Sequence, residues 1–291
     1  MPMLIRGGRL LTMTAQGEIT ADILIYGGRI HQIAESIEPA DEMEVIEARG
    51  LTLLPGMTDL CIRSGGYAAQ WLLDLAANAG VTSGVILPDE GSACGLLADG
   101  QIGKTPIRLI RSVSELENAL QECSGADVRL IVPVHSREVC THILSASQGT
   151  DTRVILVGLR GCEGLTELIS ASGASAVIGV DRKGESPWRF AAELADAGVP
   201  VALSTFHPSA KMRLLPVCAS LCVRDGMPRE RALSAITSTP ADMIGLRDRG
   251  RLAPGYQADI AIFDGDPLLL ATSRVATIVC GRLYRSRTPE G

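Results

Sequence analysis

The chain has 291 residues, 46% of them hydrophobic and 21% charged, with a formal net charge of −6. Such a length and apolar content support a full core in one large or two modest domains. An acidic balance without a basic cluster argues against nucleic acid and against an anionic membrane surface as partners. No apolar run approaches the roughly 18 residues of a membrane-crossing helix. The opening MPMLIRGGRLL has neither an apolar h-region nor a small-residue cleavage site, so a cytoplasmic protein without a signal peptide is expected. None of the eight cysteines forms a Cys-x-x-Cys pair, and reduced, mostly buried thiols are expected. Cys218 and Cys222 fall on one face of a helix, but no second pair completes a tetrahedral metal set.

The first 50 residues read as strands. Residues 3–12, 21–25 and 28–33 are short alternating apolar runs broken by glycine pairs, and 44–48 and 51–54 follow. This is hairpin patterning. The last 33 or so residues (259–263, 275–280, 282–284) have the same texture. Neither end is long enough to bury a core alone, so the two are expected to pack together.

Between these ends strands and helices alternate. A helix is predicted over 71–79, a strand over 81–87, and a remnant strand over 106–110. A helix over 114–122 is expected to be capped by Ser114, with Glu117 completing a capping box. Buried strands are expected at 128–134, 153–157, 174–180 and 199–204, with helices at 163–170 and 187–197. Such alternation implies a parallel α/β sheet.

Two motifs carry more. Residues 53–63 read LLPGMTDLCIR, and residues 232–268 read ALSAITSTPADMIGLRDRGRLAPGYQADIAIFDGDPL. Together with DILIYGGRIHQI near the start, they resemble the amidohydrolase superfamily over nearly the whole chain. IVPVHSREVCTHIL and GVPVALSTFHP are similar to the fifth and eighth barrel-strand motifs of its imidazolonepropionase-like group. The resemblance implies a β-sandwich domain from residues 1–58 plus 247–291, and a (β/α) TIM-like barrel over 59–246. That barrel span falls well short of the roughly 250 residues typical of the class. The shortening is expected between Leu87 and Val128, where the third and fourth strands belong.

The family's chemistry is hydrolysis of a C–N bond by water activated on zinc or a similar divalent ion. The resemblance implies two His on strand one, a Lys or Glu on strand four, a His each on strands five and six, and an Asp ending strand eight. Here the Pro-Gly-x-x-Asp-x-His-x-His frame keeps Pro55, Gly56 and Asp59 but carries Cys61 and Arg63 at the ligand positions. A guanidinium has no free lone pair and cannot ligate a cation. Gly158 falls at the strand-six position, and Phe206 stands where the Asp belongs. No counterpart of the strand-four Lys can be placed. On strand five the position is held by His135, Ser136 or Arg137.

The remaining candidates were weighed singly. His135, Arg137 and His207 form the candidate pocket at the barrel rim. Glu138 and His142 are expected to be a surface pair one helical turn apart, and His31 to be structural. Asp59 and Asp259 are expected to bond turn backbone. The glycine-rich stretch 90–95 with 100–104 resembles a family loop after strand two, and it lacks the P-loop pattern. Cys61 is a candidate thiol whose pKa Arg63 would lower.

Three functions follow as expectations. The first is a protein that has lost metal-dependent catalysis, holds no metal, and serves as a binding or partner subunit. It would form a homo-oligomer or a complex with a related amidohydrolase. The second is an active hydrolase on the carbon–nitrogen bonds of a cyclic amide or similar small molecule, with a rebuilt site and one zinc or similar ion. The third is a metal-free sensor using the old pocket for a small-molecule ligand, with Arg63 as an anion anchor. Any subunit contact is expected near residues 71–79 or 114–122.

Overall fold

A computed structural model describes residues 2–91, 93–123, 126–180 and 187–285. The chain opens with β1 (Met3–Leu11), β2 (Glu18–Tyr26), β3 (Arg29–Ala34), β4 (Glu44–Glu47) and β5 (Thr52–Pro55). The middle runs β6 (Met57–Arg63), α1 (Ala69–Ala77), β7 (Val81–Leu87), β8 (Ala93–Ala98), β9 (Gln101–Leu109), α2 (Val113–Glu122), β10 (Arg129–Pro133) and α3 (Arg137–Ser147). Next come β11 (Arg153–Val157), α4 (Thr166–Ser172), β12 (Ser175–Gly179), α5 (Pro187–Asp196) and β13 (Val201–Ser204). Helices α6 (Leu215–Arg224), α7 (Arg229–Ser234) and α8 (Ser238–Met243) follow, then β14 (Ile260–Phe263), β15 (Arg274–Val279) and β16 (Arg282–Arg285). No helix among the described residues is long and apolar enough to cross a membrane.

Strands from the two chain ends share one sheet, in the order β16-β15-β14-β5-β1-β2-β3, with β4 also paired to β1. The join is the antiparallel pairing of β5 with β14, where Leu53 faces Ile262. Alternate residues of both ends meet in one apolar core that includes Ile5, Ile23, Leu53, Ile260 and Ile278. Neither end has enough apolar surface to do this alone.

The second sheet has the order β13-β12-β11-β10-β9-β8-β7-β6. From β9 to β13 every pairing is parallel, as is β6 with β7. The exception is β8, antiparallel to both β7 and β9. All eight barrel strands are therefore present, and the expected loss of strands between Leu87 and Val128 is corrected. What is missing there is the helical crossover on either side of β8. Two tight connections replace it, since antiparallel neighbours need only a turn whereas parallel ones need a dozen or more residues. The stretch expected as a glycine-rich loop lies mostly in β8 and β9, apart from Ser92, which is outside the described residues. The turn between β8 and β9 is Asp99–Gly100, with φ of 53° and 66°. Asp-Gly with two positive φ values is the signature of a type I′ hairpin. That dipeptide is the signal in the sequence for β8.

Asp99 also ties the barrel to the chain-end sheet. It accepts from the buried Arg249, whose guanidinium also pairs with buried Asp259. Asp259 in turn accepts from the Cys280 backbone N–H at 2.8 Å. The expectation of turn bonding for Asp259 thus covers only part of its role. Helix α2 begins one residue earlier than expected, and its cap lies two residues earlier: Ser112, not Ser114, accepts from Glu115 N at 3.2 Å. Glu115 accepts from Arg111 N at 2.8 Å.

The barrel closes between β6 and β13, which share no ladder. Below, the segment Ala235–Ile236 bridges the seam by accepting from Leu203 N at 2.8 Å and Thr58 N at 2.9 Å. Above, Asp59 spans it. One carboxylate oxygen accepts from Ser204 Oγ at 2.5 Å and Cys61 N at 3.2 Å; the other accepts from Thr205 N at 3.1 Å and Thr205 Oγ1 at 2.6 Å. Asp59 is fully buried, and most of its partners lie across the barrel rather than in a local turn, which corrects the expectation for it. β6 bulges here, with three steps from Asp59 to Ile62 opposite two from Gly84 to Ile86. A Cβ at Gly84 would lie 2.4 Å from the Asp59 carbonyl oxygen, so only glycine lets the bulge sit this close.

Removing this carboxylate leaves buried donors without a partner, each costing about 1–3 kcal/mol. Asp59→Ala is therefore expected to lose about 3 kcal/mol or more in urea denaturation, and Ser204→Ala about 1 kcal/mol. A loss below about 0.5 kcal/mol for Asp59→Ala would show that the seam does not depend on it.

Candidate functional site

In a β/α barrel the side chains that can act on a ligand come from the C-terminal ends of the strands. In this chain the barrel interior is apolar. Leu60 and Cys61 of β6, Val85 and Leu87 of β7, Cys94 of β8 and Ile107 and Leu109 of β9 belong to one buried cluster. Ile131 of β10, Ile155 and Val157 of β11, Val177 of β12 and Ala202 of β13 complete the ring. Met243 and Ile244, at the end of α8, join the same cluster, and Phe206 packs against it. Each of the larger side chains contributes about 1.5–3 kcal/mol by leaving water.

Phe206 follows β13 with φ of 48°. A Cβ at Gly179, the last residue of β12, would come within 2.8 Å of the Phe206 ring. The aromatic ring thus lies over the end of β12, at the strand-eight position where a carboxylate was expected from the family pattern.

Cys61 lies inside the barrel and is buried. Burial, and then the negative charge of Asp59, push its thiol well above the ordinary cysteine range; Arg63 acts weakly in the other direction. The expectation that Arg63 would activate it is corrected: desolvation outweighs the charge. Arg63 itself is exposed, two residues further along β6, and its backbone N–H donates to the His207 carbonyl at 3.0 Å.

His135 is exposed beyond the end of β10. Ser136 caps α3, accepting from Val139 N at 3.3 Å. Arg137 is exposed and donates to the Glu163 carbonyl. Gly158 adopts φ of 93°, and its N–H donates to the Val177 carbonyl at 2.9 Å, which makes it a backbone junction between β11 and β12. His142 lies 3.5 Å from Glu117 on α2, and so reaches across to a neighbouring helix; this corrects its expected pairing with Glu138. His31 is exposed on β3.

His207 differs from the rest. It is 7% exposed, and neither ring nitrogen has a hydrogen-bond partner. An imidazole carries at least one donor and one acceptor or two donors, so leaving both nitrogens buried and unpaired is costly.

A divalent ion does not fit this donor set. Among the described residues no three His, Cys, Asp or Glu side chains gather as a group able to hold one. Cys61 is a protonated thiol amid apolar neighbours, Arg63 has no lone pair, Gly158 has no side chain and His135 points to solvent. Placing a charge in such surroundings without ligands costs far more than any contact there returns.

Residues 192–285 match the sequence profile of the amidohydrolase family. The imidazolonepropionase of Salinispora tropica is 34% identical over 176 residues, 60% of this chain and 41% of that protein. The imidazolonepropionase of Streptomyces coelicolor is 32% identical over 154 residues, 50% and 35% of the two chains. The chain thus spans about two fifths of the length of such relatives. In three dimensions an amidohydrolase from Thermotoga maritima superposes with a TM-score of 0.81 at 16% identity, covering 97% of this chain and 100% of that one. A β-aspartyl dipeptidase from Fervidobacterium islandicum superposes with a TM-score of 0.74 at 14% identity, covering 98% and 97%. At those identities the likeness is one of fold.

The thiols supply a test of the dry interior. Burial raises Cys61 and lifts Cys94 to about 11 and Cys218 to about 12. A raised folded pKa gives stability that is present below the unfolded thiol value of about 8.5 and is lost as pH rises. Unfolding free energy is therefore expected to fall between pH 8.5 and 11, by up to about 1.4 kcal/mol per pH unit for each such thiol. Urea denaturation across that range, with iodoacetamide labelling of native protein at pH 8, is the measurement. Rapid native alkylation of Cys61 would contradict the burial account.

Proposed function

We propose that the chain is an imidazolonepropionase-like member of the amidohydrolase superfamily that has lost metal-dependent hydrolysis and acts as a binding or partner subunit. The observation that carries this reading is the apolar filling of the barrel interior, from Cys61 round to Phe206. A catalytic mouth of the family's kind needs converging ligands around a water-accessible ion. Here those positions hold a buried thiol, an exposed guanidinium, a glycine and an aromatic ring. The substitutions reinforce one another, because restoring any one of them leaves the others in place.

The working architecture is a composite domain, residues 1–58 with 247–291, set on a barrel of residues 59–246. Met1 and residues 286–291 lie outside the described part. The shared sheet of the chain ends supports this division. The partner is a second copy or a related amidohydrolase, met near residues 71–79 or 114–122. Tyr67 and Trp71 support the first location: their rings stack with centroids 3.9 Å apart while remaining 52% and 42% exposed.

One observation favours a second reading, a metal-free sensor of a small ligand at the mouth. Buried polar groups are ordinarily satisfied, and His207 is not. A carboxylate reaching it past Arg63 would supply the missing acceptor. Thermal-shift measurements with small carboxylates, on wild type and on His207→Phe, separate the readings: stabilisation lost in the variant favours the sensor.

For the first reading, elemental analysis of protein purified without chelator is expected to show only traces of zinc, iron and manganese, and cyclic amides are expected to remain intact with or without added zinc. One equivalent of metal that disappears in His135→Ala, or zinc-dependent turnover, would overturn it. Sedimentation at micromolar concentration is expected to show association; a monomer that also ignores a co-expressed relative would remove the partner role.

A further inference from the structure

Away from the mouth, a groove of about 990 Å³ opens between the chain-end sheet and helices α1 and α6. None of its lining residues belongs to the barrel-interior cluster. Its volume is at the upper end of the range for small-molecule sites, roughly 300–1,000 Å³.

Two features of its lining stand out. The first is apolar surface left in water. Leu268, Leu269 and Leu270 form one run, yet only Leu268 is buried, while Leu269 is 60% and Leu270 80% exposed. The turn that presents them is held by backbone bonds, Leu269 N to the Asp266 carbonyl at 3.0 Å and Thr272 N to the Leu269 carbonyl at 3.0 Å. Val275, on the neighbouring strand and in the same wall, is 39% exposed.

The second feature is an excess of cationic side chains, three arginines against two carboxylates. Three arginines line the groove: Arg213, Arg274 and Arg285. Of the two carboxylates in the same wall, one has a cationic partner and the other takes a backbone N–H of the wall itself. Glu47 pairs with Arg6 at 3.3 Å, and Asp264 accepts from Ser273 N at 2.7 Å. Arg274 donates to Thr277 Oγ1 at 3.1 Å. Arg213 and Arg285 are exposed and pair with no carboxylate among the described residues. In a chain of net charge −6, an apolar cleft with two uncommitted guanidiniums runs against the overall balance.

We propose that this groove binds a small amphipathic anion, a molecule with one acidic headgroup on an apolar tail. The guanidiniums of Arg213 and Arg285 take the headgroup, as their planar donor forks suit a carboxylate, sulfonate or phosphate. The tail covers Leu269, Leu270 and Val275. Charge complementarity selects this occupant over a neutral or cationic one, and a volume within the small-molecule range selects a small molecule over a protein surface. The inference is independent of whether the barrel mouth is active.

Decanoate is the probe, titrated calorimetrically into wild type and into R213A/R285A and L270D. These positions are exposed, and circular dichroism checks that both variants fold. The expected result is saturable one-to-one binding that weakens about tenfold or more in each variant and weakens as salt is raised. Acetate and decyltrimethylammonium are expected not to compete, the first lacking the tail and the second the negative charge. Three results would overturn the proposal: no saturable binding of decanoate, binding unchanged in both variants, or a wild-type dimer that L270D dissociates while decanoate does not bind. The last would assign the groove to a second copy of the chain.

Discussion

The barrel of this protein depends on one buried carboxylate. Strands β6 and β13 approach each other without a hydrogen-bonded ladder. Asp59 links them through Ser204 and Thr205, which lie 145 and 146 residues away in sequence. An ionised carboxylate is acceptor-only and has about four lone-pair sites, and each oxygen here takes two donors. Above it the backbone joins the two sides again, the Arg63 N–H donating to the His207 carbonyl at 3.0 Å. Between these two links lies the segment Thr205–Pro208, in which Phe206 sits over β12 and His207 is buried. In this fold the residue that closes the barrel and the residues that shape its mouth are therefore neighbours in one hydrogen-bond network.

Much of the fold was legible in the sequence, for identifiable reasons. Val81–Leu87 and Arg153–Val157 are strands over the residues expected, because short apolar runs bounded by polar or glycine positions leave little freedom in register. The cap of α2 was not legible. Ser112 with Glu115 and Ser114 with Glu117 are overlapping Ser-x-x-Glu frames, and the choice falls to burial of Leu116, Ala119 and Leu120 against the core. Nor was β8 legible by composition, since its CGLLA has no β-branched residue. Its direction follows from Asp99–Gly100.

The candidate site divides along the same line. Motif spacing singled out Cys61, Arg63, Gly158 and Phe206. What surrounds these residues could not be read, because it depends on contacts between distant strands. Arg63 beside Cys61 suggested an activated thiol, yet burial dominates. The interior of a barrel is a matter of volume, and here apolar side chains from all eight strands share one buried cluster. The orphaned nitrogens of His207 are likewise invisible to sequence, since an unmade bond leaves no pattern.

The reversed strand β8 has a consequence for how the molecule assembles. A parallel pair must wait for a crossover of a dozen or more residues to find its register, and the entropy of closing such a loop is lost before any contact is gained. The meander β7-β8-β9 replaces two such closures with turns of a few residues, one of them Asp99–Gly100. Hairpins form in microseconds, and structures rich in local contacts fold faster than those built on distant ones. This sector is the most local part of an otherwise non-local sheet. It can form as a template from which pairing spreads through β10 to β13 on one side and to β6 on the other. The seam at Asp59 joins β6 and β13, the last strand added on each side, and is then the last joint to close.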